Sequence, residues 1–523
     1  MLSALASGPL DASVPRNASD LHALLAKAKS SDIYEFKTHE IETEFKDREY
    51  THLLQTRCLW DVLKDLVSDP DLHELFVFDP EQHFVQNPET EEPMLVLEEP
   101  WHGKAFWNFQ TQVGPGGRIL YIQLYADATK ITVIGSLKVW PVYAWLGNLP
   151  AHLRKRDGKG GATLIAYLPV VEKDQHLSKA DLASLRVHIY HEAFKIILES
   201  IKAPAQFGEL IECGDGIVRK LFPTISVISA DYEELAKILS ILGHQSGFPC
   251  PVCLVPRGKQ GDLSGTVWPR RTHEETLLIL ERAENASTKQ EAKEIRQEQS
   301  LRATQSSFID VMGSMSSIYE AACTADPLHQ IEQGIFGHHL WPKLKSLLNR
   351  TQKAVLDDRF KAIPPYPDLK HFPNGITELE YMEGHEHATV LRLLAPLIED
   401  LLPPECQQVI CSVLRSLAAI HLLAKMTTHT DNTLERLTVQ IRKFGELWQV
   451  RFVFQLLDFV VANFPKLHSM SHLVECIRYK STTDNYHTGL GEAQHPQSKE
   501  DFKRTNHRPG FEDQVSSDTI LKT

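Results

Sequence analysis

The sequence predicts an α/β fold in which a strand-rich central part precedes a long helical part. Apolar runs of strand length follow one another between residues 117 and 171. A segment with apolar residues at helical spacing then separates them from a further apolar run, FPTISVISAD. Beyond residue 256 the pattern changes to long amphipathic stretches. Strands that alternate with a helix indicate a sheet with helices packed on it, and the later stretches indicate a large all-helical addition.

Composition and charge restrict the class of protein. The chain has 523 residues, of which 42% are hydrophobic and 24% charged, so it can bury a large core. We expect an intracellular protein without a membrane-spanning helix, because no apolar run approaches roughly 18 residues. The 8 cysteines are too sparse for a disulfide framework. The formal net charge of -13 argues against a broad basic DNA-binding face. Basic runs occur in LRKRDGKGG and PRRT, where a solvated loop is the more common interpretation and a phosphate-binding track the alternative.

The elements of the first half can be placed in chain order. Residues 1–100 are predicted to form a helical N-terminal segment, with LHALLAKAK and LWDVLKDLV as its amphipathic pieces. Three neighbouring strands are predicted in GRILYIQLYAD, KITVIGSLK and PVYAWLGNLP, and a further strand in ATLIAYLPVV. The helix that follows is predicted to begin after Ser178, a residue type that caps helix N-termini. The strand FPTISVISAD and the helix YEELAKILSIL complete this part.

The second half is predicted to be helical apart from one loop. Helical patterns occur in the charged stretch that begins HEETLLILERAE and in ATVLRLLAPLIEDLL, QVICSVLRSLAAIHLLAKM and WQVRFVFQLLDFVVANF. The segment IPPYPDLKHFPNG is too rich in proline for a helix, so we expect an ordered loop. After the N-terminal segment we therefore predict a first part of the core over residues 101–249, a helical insertion over 250–460 and a return to the core over 461–523.

Two aspartates directly follow predicted core strands. Asp127 ends the run ILYIQLYAD, and Asp231 ends ISVISAD. A carboxylate at the rim of a core needs a partner or a metal. Two adjacent strand ends could bring such oxygens to hard cations about 4 Å apart, as two-metal phosphoryl transfer requires. The alternative is structural, since either aspartate could begin a turn and Asp231 is well placed to cap the helix YEELAKIL.

A second candidate site consists of cysteines and histidines. Cys250 and Cys253 form a Cys-x-x-Cys pair, and His468 and His472 stand one helical turn apart. Each pair alone is a modest signal, because a histidine pair at this spacing is more often on the surface or satisfied in a core. Together they predict a Cys2His2 zinc site that joins the two ends of the helical insertion. Such a site leaves no ligand position open, so its role would be structural.

Several strings occur together along the chain: LYADATKITVIG, CGDGIVRKLFPTISVISADYEE, GFPCPVCLVP, DPLHQIEQGIFGHHLWPKL, and DNYHTGLGEAQHP followed by FKRTN. In this order they resemble the Plavaka family of fungal transposases, which belong to the CACTA-like cut-and-paste elements, and the resemblance covers most of the chain. It implies an RNase H-like mixed sheet core with a catalytic Asp-Asp-Glu (DDE) triad. Asp127, Asp231 and Glu492 stand at the matching positions and would hold catalytic Mg2+ or Mn2+.

The order of the zinc-binding candidates fits the same resemblance. In the vertebrate V(D)J recombinase core, a distant relative, the second catalytic aspartate precedes a zinc-binding Cys-x-x-Cys pair, a helical insertion, two histidines and the catalytic glutamate. Here Cys250 follows Asp231 by 250 − 231 = 19 residues, and Glu492 follows His472 by 492 − 472 = 20 residues. The resemblance therefore implies one structural zinc ion in addition to the catalytic metal.

Further expectations depend on the resemblance alone. Asp326 and His329 match an acid-x-x-His motif in the insertion of such transposases, which implies a supporting role near the DNA, with a structural role as the alternative. The partners implied are double-stranded DNA, as transposon ends and target, and a second copy of the chain by analogy, in the nucleus. The alternative function is that of a decayed or co-opted, inactive fragment that serves as a zinc-containing DNA- or protein-binding module. The carboxylates at two strand ends argue against a third possibility, a zinc-stapled helical scaffold unrelated to DNA.

Overall fold

The structure of the protein is a computed structural model, which describes residues 35–130, 138–312, 317–450, 464–496 and 499–500. The predicted helix LHALLAKAK and the string FKRTN lie outside these residues, as do nearly all of KITVIGSLK and most of WQVRFVFQLLDFVVANF.

Regular elements occupy most of the described chain. The strands are β1 (Lys37–Glu44), β2 (Glu49–Thr56), β3 (His83–Gln86), β4 (Pro93–Val96), β5 (Arg118–Ala126), β6 (Thr129–Lys130), β7 (Lys138–Val139), β8 (Pro141–Leu146), β9 (Thr163–Tyr167), β10 (Glu209–Glu212) and β11 (Val218–Ser229). The α-helices are α1 (Leu59–Ser68), α2 (Lys104–Val113), α3 (Ala151–Arg154), α4 (Lys179–Phe207), α5 (Tyr232–Ile238), α6 (His273–Glu284), α7 (Lys289–Gln297), α8 (Ile309–Met312), α9 (Ile318–Ala321), α10 (Trp341–Leu347), α11 (Arg350–Lys361), α12 (Gly384–Ile398), α13 (Pro404–Ala424), α14 (Asp431–Trp448), α15 (Pro465–Ser469), α16 (Leu473–Lys480) and α17 (Gly489–Glu492). A π-helix, Pro327–Leu340, directly precedes α10.

The main sheet has seven strands in the order β1-β2-β9-β8-β5-β11-β10. β5, β8 and β9 pair antiparallel, and after α4 the chain returns in β11, which pairs parallel with β5. The four strands that were predicted in GRILYIQLYAD, PVYAWLGNLP, ATLIAYLPVV and FPTISVISAD are therefore confirmed. The described ends of KITVIGSLK, Lys130 and Lys138, pair with each other in a separate two-stranded antiparallel sheet of β6 and β7. Ser178 caps α4 as predicted, because its Oγ accepts a hydrogen bond from the main-chain N–H of Asp181 at 3.1 Å.

The prediction of a helical N-terminal segment is wrong for residues 35–100. LWDVLKDLV does form α1, but β1 and β2 form an antiparallel hairpin that joins the main sheet through β9. β3 and β4 form a second hairpin. β1 lies at the edge of the sheet, and Ile41 is the buried residue of its sequence KTHEIETE. Charged residues on a solvated edge strand replace the apolar alternation by which a strand is recognised in a sequence.

Both faces of the main sheet are covered by large hydrophobic cores. Successive residues of β5 point to opposite faces, so that Leu120 and Ile122 pack with α1 and α4 on one side. Ile119 and Tyr121 share the opposite core with α2 and with most of the helices after residue 326. The helices of the predicted insertion thus pack directly on the sheet and share its core.

One described helix, α13, differs from the expectation that no apolar stretch approaches the length of a membrane-spanning helix. By length and composition, α13 could cross a membrane, with a mean hydropathy of 1.4 in its most apolar window. Half of that window is buried inside the structure, where the helix packs against α12 and α14. His421 of α13 is also buried and contacts the carboxylate of Glu332. These contacts are those of a core helix.

Both basic runs contribute a buried arginine to the fold. Arg154, in LRKRDGKGG, is 2% exposed and donates to Glu99 at 3.1 Å and to Asn485 at 2.5 Å. Arg271, in PRRT, is also 2% exposed and donates to main-chain carbonyl groups. The expected solvated loop is therefore wrong for these two side chains, which hold segments of the fold together.

Candidate active site and metal centre

Asp127 and Asp231 lie at the carboxyl ends of two adjacent parallel strands. Tyr125 of β5 is paired with Ser229 of β11. Asp127 follows Tyr125 by two residues, and Asp231 follows Ser229 by two residues, so the aspartates are aligned as well. A register shift between Ile225 and Val227 of β11 produces this alignment. Asp231 also caps α5, because its Oδ1 accepts a hydrogen bond from the main-chain N–H of Glu234 at 2.7 Å. The cap holds the carboxylate at the strand end, so the structural and the catalytic interpretations of Asp231 are compatible.

Asp326 reaches the same edge of the sheet from the helical part. The main-chain N–H of Cys323 donates to the carbonyl of Ile228 at 3.0 Å, which leads the chain alongside β11 toward its carboxyl end. Asp326 is 1% exposed and caps the π-helix by accepting bonds from the main-chain N–H groups of Leu328 and His329. A π-helix of this length is uncommon, and π geometry is frequent at functional sites.

His329 links Asp326 to Glu492. Its Nδ1 lies 2.8 Å from Oδ2 of Asp326, and its Nε2 lies 3.2 Å from Oε1 of Glu492. Thr488, one turn before Glu492, donates its hydroxyl to Asp326 at 2.5 Å. Burial disfavours the charged imidazolium, but the hydrogen bond and charge of Asp326, with the charges of Glu492 and Asp231, outweigh it and raise the pKa of His329 to about 9. His329 therefore stands between the two carboxylates as a cation.

The acidic residues form one partly buried cluster of negative charge. Burial and the charge of Asp231 raise the pKa of Asp127 to about 6, and burial raises the pKa of Glu492. Burial also raises the pKa of Tyr125 well above its usual range, and the charges of Asp127, Glu492, Asp231 and Asp326 add to this effect. The charges of all four acids thus act on one tyrosine. A divalent cation would relieve their repulsion, and carboxylate oxygens are ligands that Mg2+ prefers, so the donor chemistry suits magnesium. Among the described residues, however, the side-chain oxygens of Asp127, Asp231 and Glu492 do not all lie within 4.8 Å of one another.

The predicted Cys2His2 residues converge at a separate, buried cluster. Sγ of Cys250 lies 3.4 Å from Nε2 of His472, Sγ of Cys253 lies 3.2 Å from Nε2 of His468, and the two Nε2 atoms are 3.2 Å apart. Zinc bonds of about 2.3 Å to sulfur and about 2.0 Å to nitrogen, in tetrahedral geometry, imply separations of roughly 3.6 Å and 3.3 Å. The distances between the side chains therefore fit a zinc ion.

The electrostatics of the Cys2His2 cluster also fit a cation. Burial opposes ionisation, but hydrogen bonds to Cys253 and to the two histidines hold the pKa of Cys250 well below its usual range. The hydrogen bond with Cys250, burial and the charge of Cys250 raise the pKa of Cys253. Without a metal the pair thus holds a single charge, and zinc would hold both sulfurs as thiolates. Arg271 donates to the carbonyl of Cys250 at 2.8 Å and fixes the loop that carries the thiols.

A third group of possible metal ligands, Glu81, His83 and His102, fits a metal less well. Nδ1 of His102 accepts hydrogen bonds from the main-chain N–H groups of Glu98 at 3.3 Å and Glu99 at 3.4 Å. The proton of the neutral imidazole is therefore on Nε2, the nitrogen 4.0 Å from the Glu81 carboxylate. This nitrogen carries the proton and therefore has no lone pair for a metal, and within the described residues it makes no hydrogen bond.

Some polar residues near the candidate active site had not been predicted. Thr488 precedes the candidate glutamate by one turn, a spacing that could have identified it. Glu332 follows His329 by three residues in the π-helix and is buried, with His421 Nε2 at 2.8 Å and Lys425 Nζ at 2.9 Å. A charged residue within the largely apolar stretch IEQGIF is the signal that could have been used, since a buried carboxylate needs a partner. These contacts join the helix of His329 to α13.

Comparison with known proteins places the chain in a family. The family model described as Plavaka transposase matches residues 16–342, which is more than half of the 523 residues. The match includes Asp127, Asp231, the Cys-x-x-Cys pair and the acid-x-x-His motif. The histidine pair and Glu492 lie beyond it, and the structure brings them to the same two sites. Comparison with curated proteins gives no match. The chain belongs to the Plavaka transposase family.

Proposed function

We propose that the chain is a DDE-type transposase core that cleaves and joins double-stranded DNA with two divalent metal ions, Mg2+ or Mn2+, bound by Asp127, Asp231 and Glu492. The observation that carries this proposal is the convergence of the three acids at one edge of the sheet, although Glu492 follows Asp127 by 492 − 127 = 365 residues. Membership of a transposase family supports it. The antiparallel meander followed by a helix and a parallel strand beside β5 supports an RNase H-like core.

The role of the protein in this reaction is to hold the acids in a fixed arrangement. Metal ions held by these acids would supply activation of an attacking water or DNA 3′-hydroxyl and stabilisation of the leaving oxygen. Asp231 is fixed by its cap on α5, and Glu492 is oriented by the imidazolium of His329. Asp326 has its oxygens occupied by His329, Thr488 and main-chain N–H groups, which favours a supporting role over metal binding. Rigid ligands allow an in-line displacement without rearrangement of the site.

Structural zinc belongs to the same proposal. The Cys2His2 cluster would hold the beginning and the end of the helical part together and thereby return the chain to the sheet before Glu492. By analogy with DNA transposases that act on paired ends, we also propose a homodimer and a nuclear location.

The proposal is tested by nicking of supercoiled plasmid DNA in Mg2+ or Mn2+, with Mn2+ binding and zinc content measured on the same samples. Asp231→Asn is the informative variant, because asparagine caps a helix as well as aspartate does. The variant therefore removes the carboxylate ligand and keeps the helix cap. We expect a loss of activity of about 100-fold or more, since metal-ion catalysis contributes several kcal/mol. Asp368→Asn, at an exposed position of the helical part, is the matched control and should nick as the wild type does.

The outcomes separate the candidate functions. Nicking by Asp231→Asn at the wild-type rate would show that the assignment of the acids is wrong. If the wild type neither nicks DNA nor binds Mn2+ but retains zinc, the chain is the inactive binding module that was the alternative.

A further inference from the structure

Tyr125 packs against the turn that contains Glu492. It lies on β5 two residues before Asp127, is 1% exposed and belongs to a mainly aromatic cluster on one face of the sheet. The other members of this cluster are Val139, Tyr143, Trp145, Leu164, Tyr167 and Leu490. Leu490 comes from α17, so the turn with the third acid completes a cluster that is otherwise built by strands.

Gly491 lies directly on the ring of Tyr125. A Cβ atom at position 491 would overlap with the Cγ, Cδ1 and Cδ2 atoms of that ring. The ring cannot retreat easily, because it is buried and closely packed. Gly491 is not among the residues with positive φ. Close approach, and not a special backbone angle, therefore requires glycine immediately before Glu492.

His495 contacts the other end of the same tyrosine. Its Nε2 lies 3.2 Å from the hydroxyl oxygen of Tyr125, and this oxygen lies 3.5 Å from Oδ2 of Asp127. Gly491 precedes Glu492 by one residue and His495 follows it by three, so Tyr125 contacts the turn on both sides of the third acid. This contact joins parts of the chain that are 370 residues apart.

We propose that Tyr125 is a positioning residue that places Glu492 beside Asp127, through the contact of its ring with Gly491 and of its hydroxyl with His495. This inference rests on the proposed function, because it explains how the third metal ligand is placed relative to the first. His329 orients Glu492 from the helical part, whereas Tyr125 fixes it to the strand of Asp127. Metal ligands must be held within about 0.5 Å of the productive geometry, and one rigid buried side chain can provide this.

The test is cleavage of the main chain by radicals generated at bound Fe2+, which replaces Mg2+ and cuts nearby segments. The zinc-loaded 523-residue chain is treated with Fe2+, ascorbate and peroxide, and the fragments are identified by mass spectrometry. We expect wild-type cuts near Asp127, Asp231 and Glu492. Gly491→Ala should lose the cut near Glu492, keep the other two and bind Mn2+ about 10-fold more weakly or worse. Gly243→Ala is the control, because no atom of the described residues lies within 4 Å of the added Cβ.

The outcomes distinguish this inference from the proposed function. Three cuts of wild-type intensity in Gly491→Ala would overturn the positioning role and leave the proposed function intact. No cut near any of the acids in the wild type would overturn both. If Gly491→Ala does not fold, the variants Tyr125→Phe and His495→Ala provide the test. Each removes the contact between the Tyr125 hydroxyl and His495 without introducing a clash. Each should reduce the cut near Glu492 relative to that near Asp127, and the double variant should reduce it no further. An unchanged ratio in both single variants overturns the inference.

Discussion

The substitution Cys250→Ser should release zinc and lower the free energy of unfolding by about 5 kcal/mol. Cys253, from the loop before the helical part, and His468, from the segment after it, are in contact but 215 residues apart in the chain. A cross-link that closes a loop of this length removes about 5 kcal/mol of conformational entropy from the unfolded state in the chain-entropy treatment. This is a large part of the roughly 5–15 kcal/mol by which a folded domain is stable. A serine hydroxyl does not replace a thiolate as a zinc ligand, so the cross-link would be lost with the metal.

The assay combines zinc content with guanidinium unfolding followed by circular dichroism. Cys58→Ser is the matched control, because Cys58 lies outside the cluster at the N-cap of α1 and makes no cap bond through its side chain. Serine is a favourable N-cap residue, so this variant should retain zinc and be as stable as the wild type or slightly more stable.

Two results would refute different parts of this reasoning. Equal zinc content in Cys250→Ser and in the wild type would show that Cys250 is not a ligand. Loss of zinc without a change in the free energy of unfolding would show that the shared hydrophobic core alone holds the two ends of the helical part.

The remaining predictions concern buried charges near the candidate active site. In zinc-loaded protein without Mg2+ or Mn2+, the free energy of unfolding should fall as the pH rises through about 9. Folding raises the pKa of His329 from 6.5 to about 9. The stability contributed by its charge is therefore complete below pH 6.5 and is lost above pH 9. In the His329→Gln variant, the melting temperature should depend less on pH between about pH 7 and 10 than in the wild type. The same pH dependence in both proteins would contradict this prediction. Glu332→Gln should lower the free energy of unfolding by about 2 kcal/mol without loss of zinc, because it weakens charged hydrogen bonds to His421 and Lys425. Glu281→Gln, at an exposed position, should have no such effect, and equal stability of the two variants would refute the assignment.

The parts of the site that lie in buried, regular elements could be predicted from the sequence. β11 ends in the run ISVIS, in which every residue is buried, and a charged residue at its end is conspicuous for that reason. The same holds for Asp127 after β5. In β1, by contrast, the exposed face is charged and the strand depends on pairing with β2, so its sequence alone carries little information about its structure.

The position of Glu492 depends on tertiary contacts that have no periodic signal in the sequence. The segment before it consists of single turns and short connections. Ser229 donates to the carbonyl of Tyr486 at 2.7 Å, and Thr488 donates to Asp326 at 2.5 Å. Each partner is far away in the chain, so the family resemblance could predict the residue but local sequence could not predict its place.

The order of strand aspartate, Cys-x-x-Cys pair, helical insertion, histidines and glutamate follows from the geometry. Asp231 caps α5, and Tyr232 of that helix donates its hydroxyl to the carbonyl of Pro249, which ties the Cys-x-x-Cys loop to β11. The histidines at the end of the insertion meet that loop, so the chain is returned to the sheet before the third acid. Because loop-closure entropy grows slowly with length, a long insertion is tolerated when its ends are held. The position of Glu492 then depends on the 492 − 472 = 20 residues after His472 and not on the whole insertion. A metal cluster without a catalytic role would in this way contribute to the placement of a catalytic ligand.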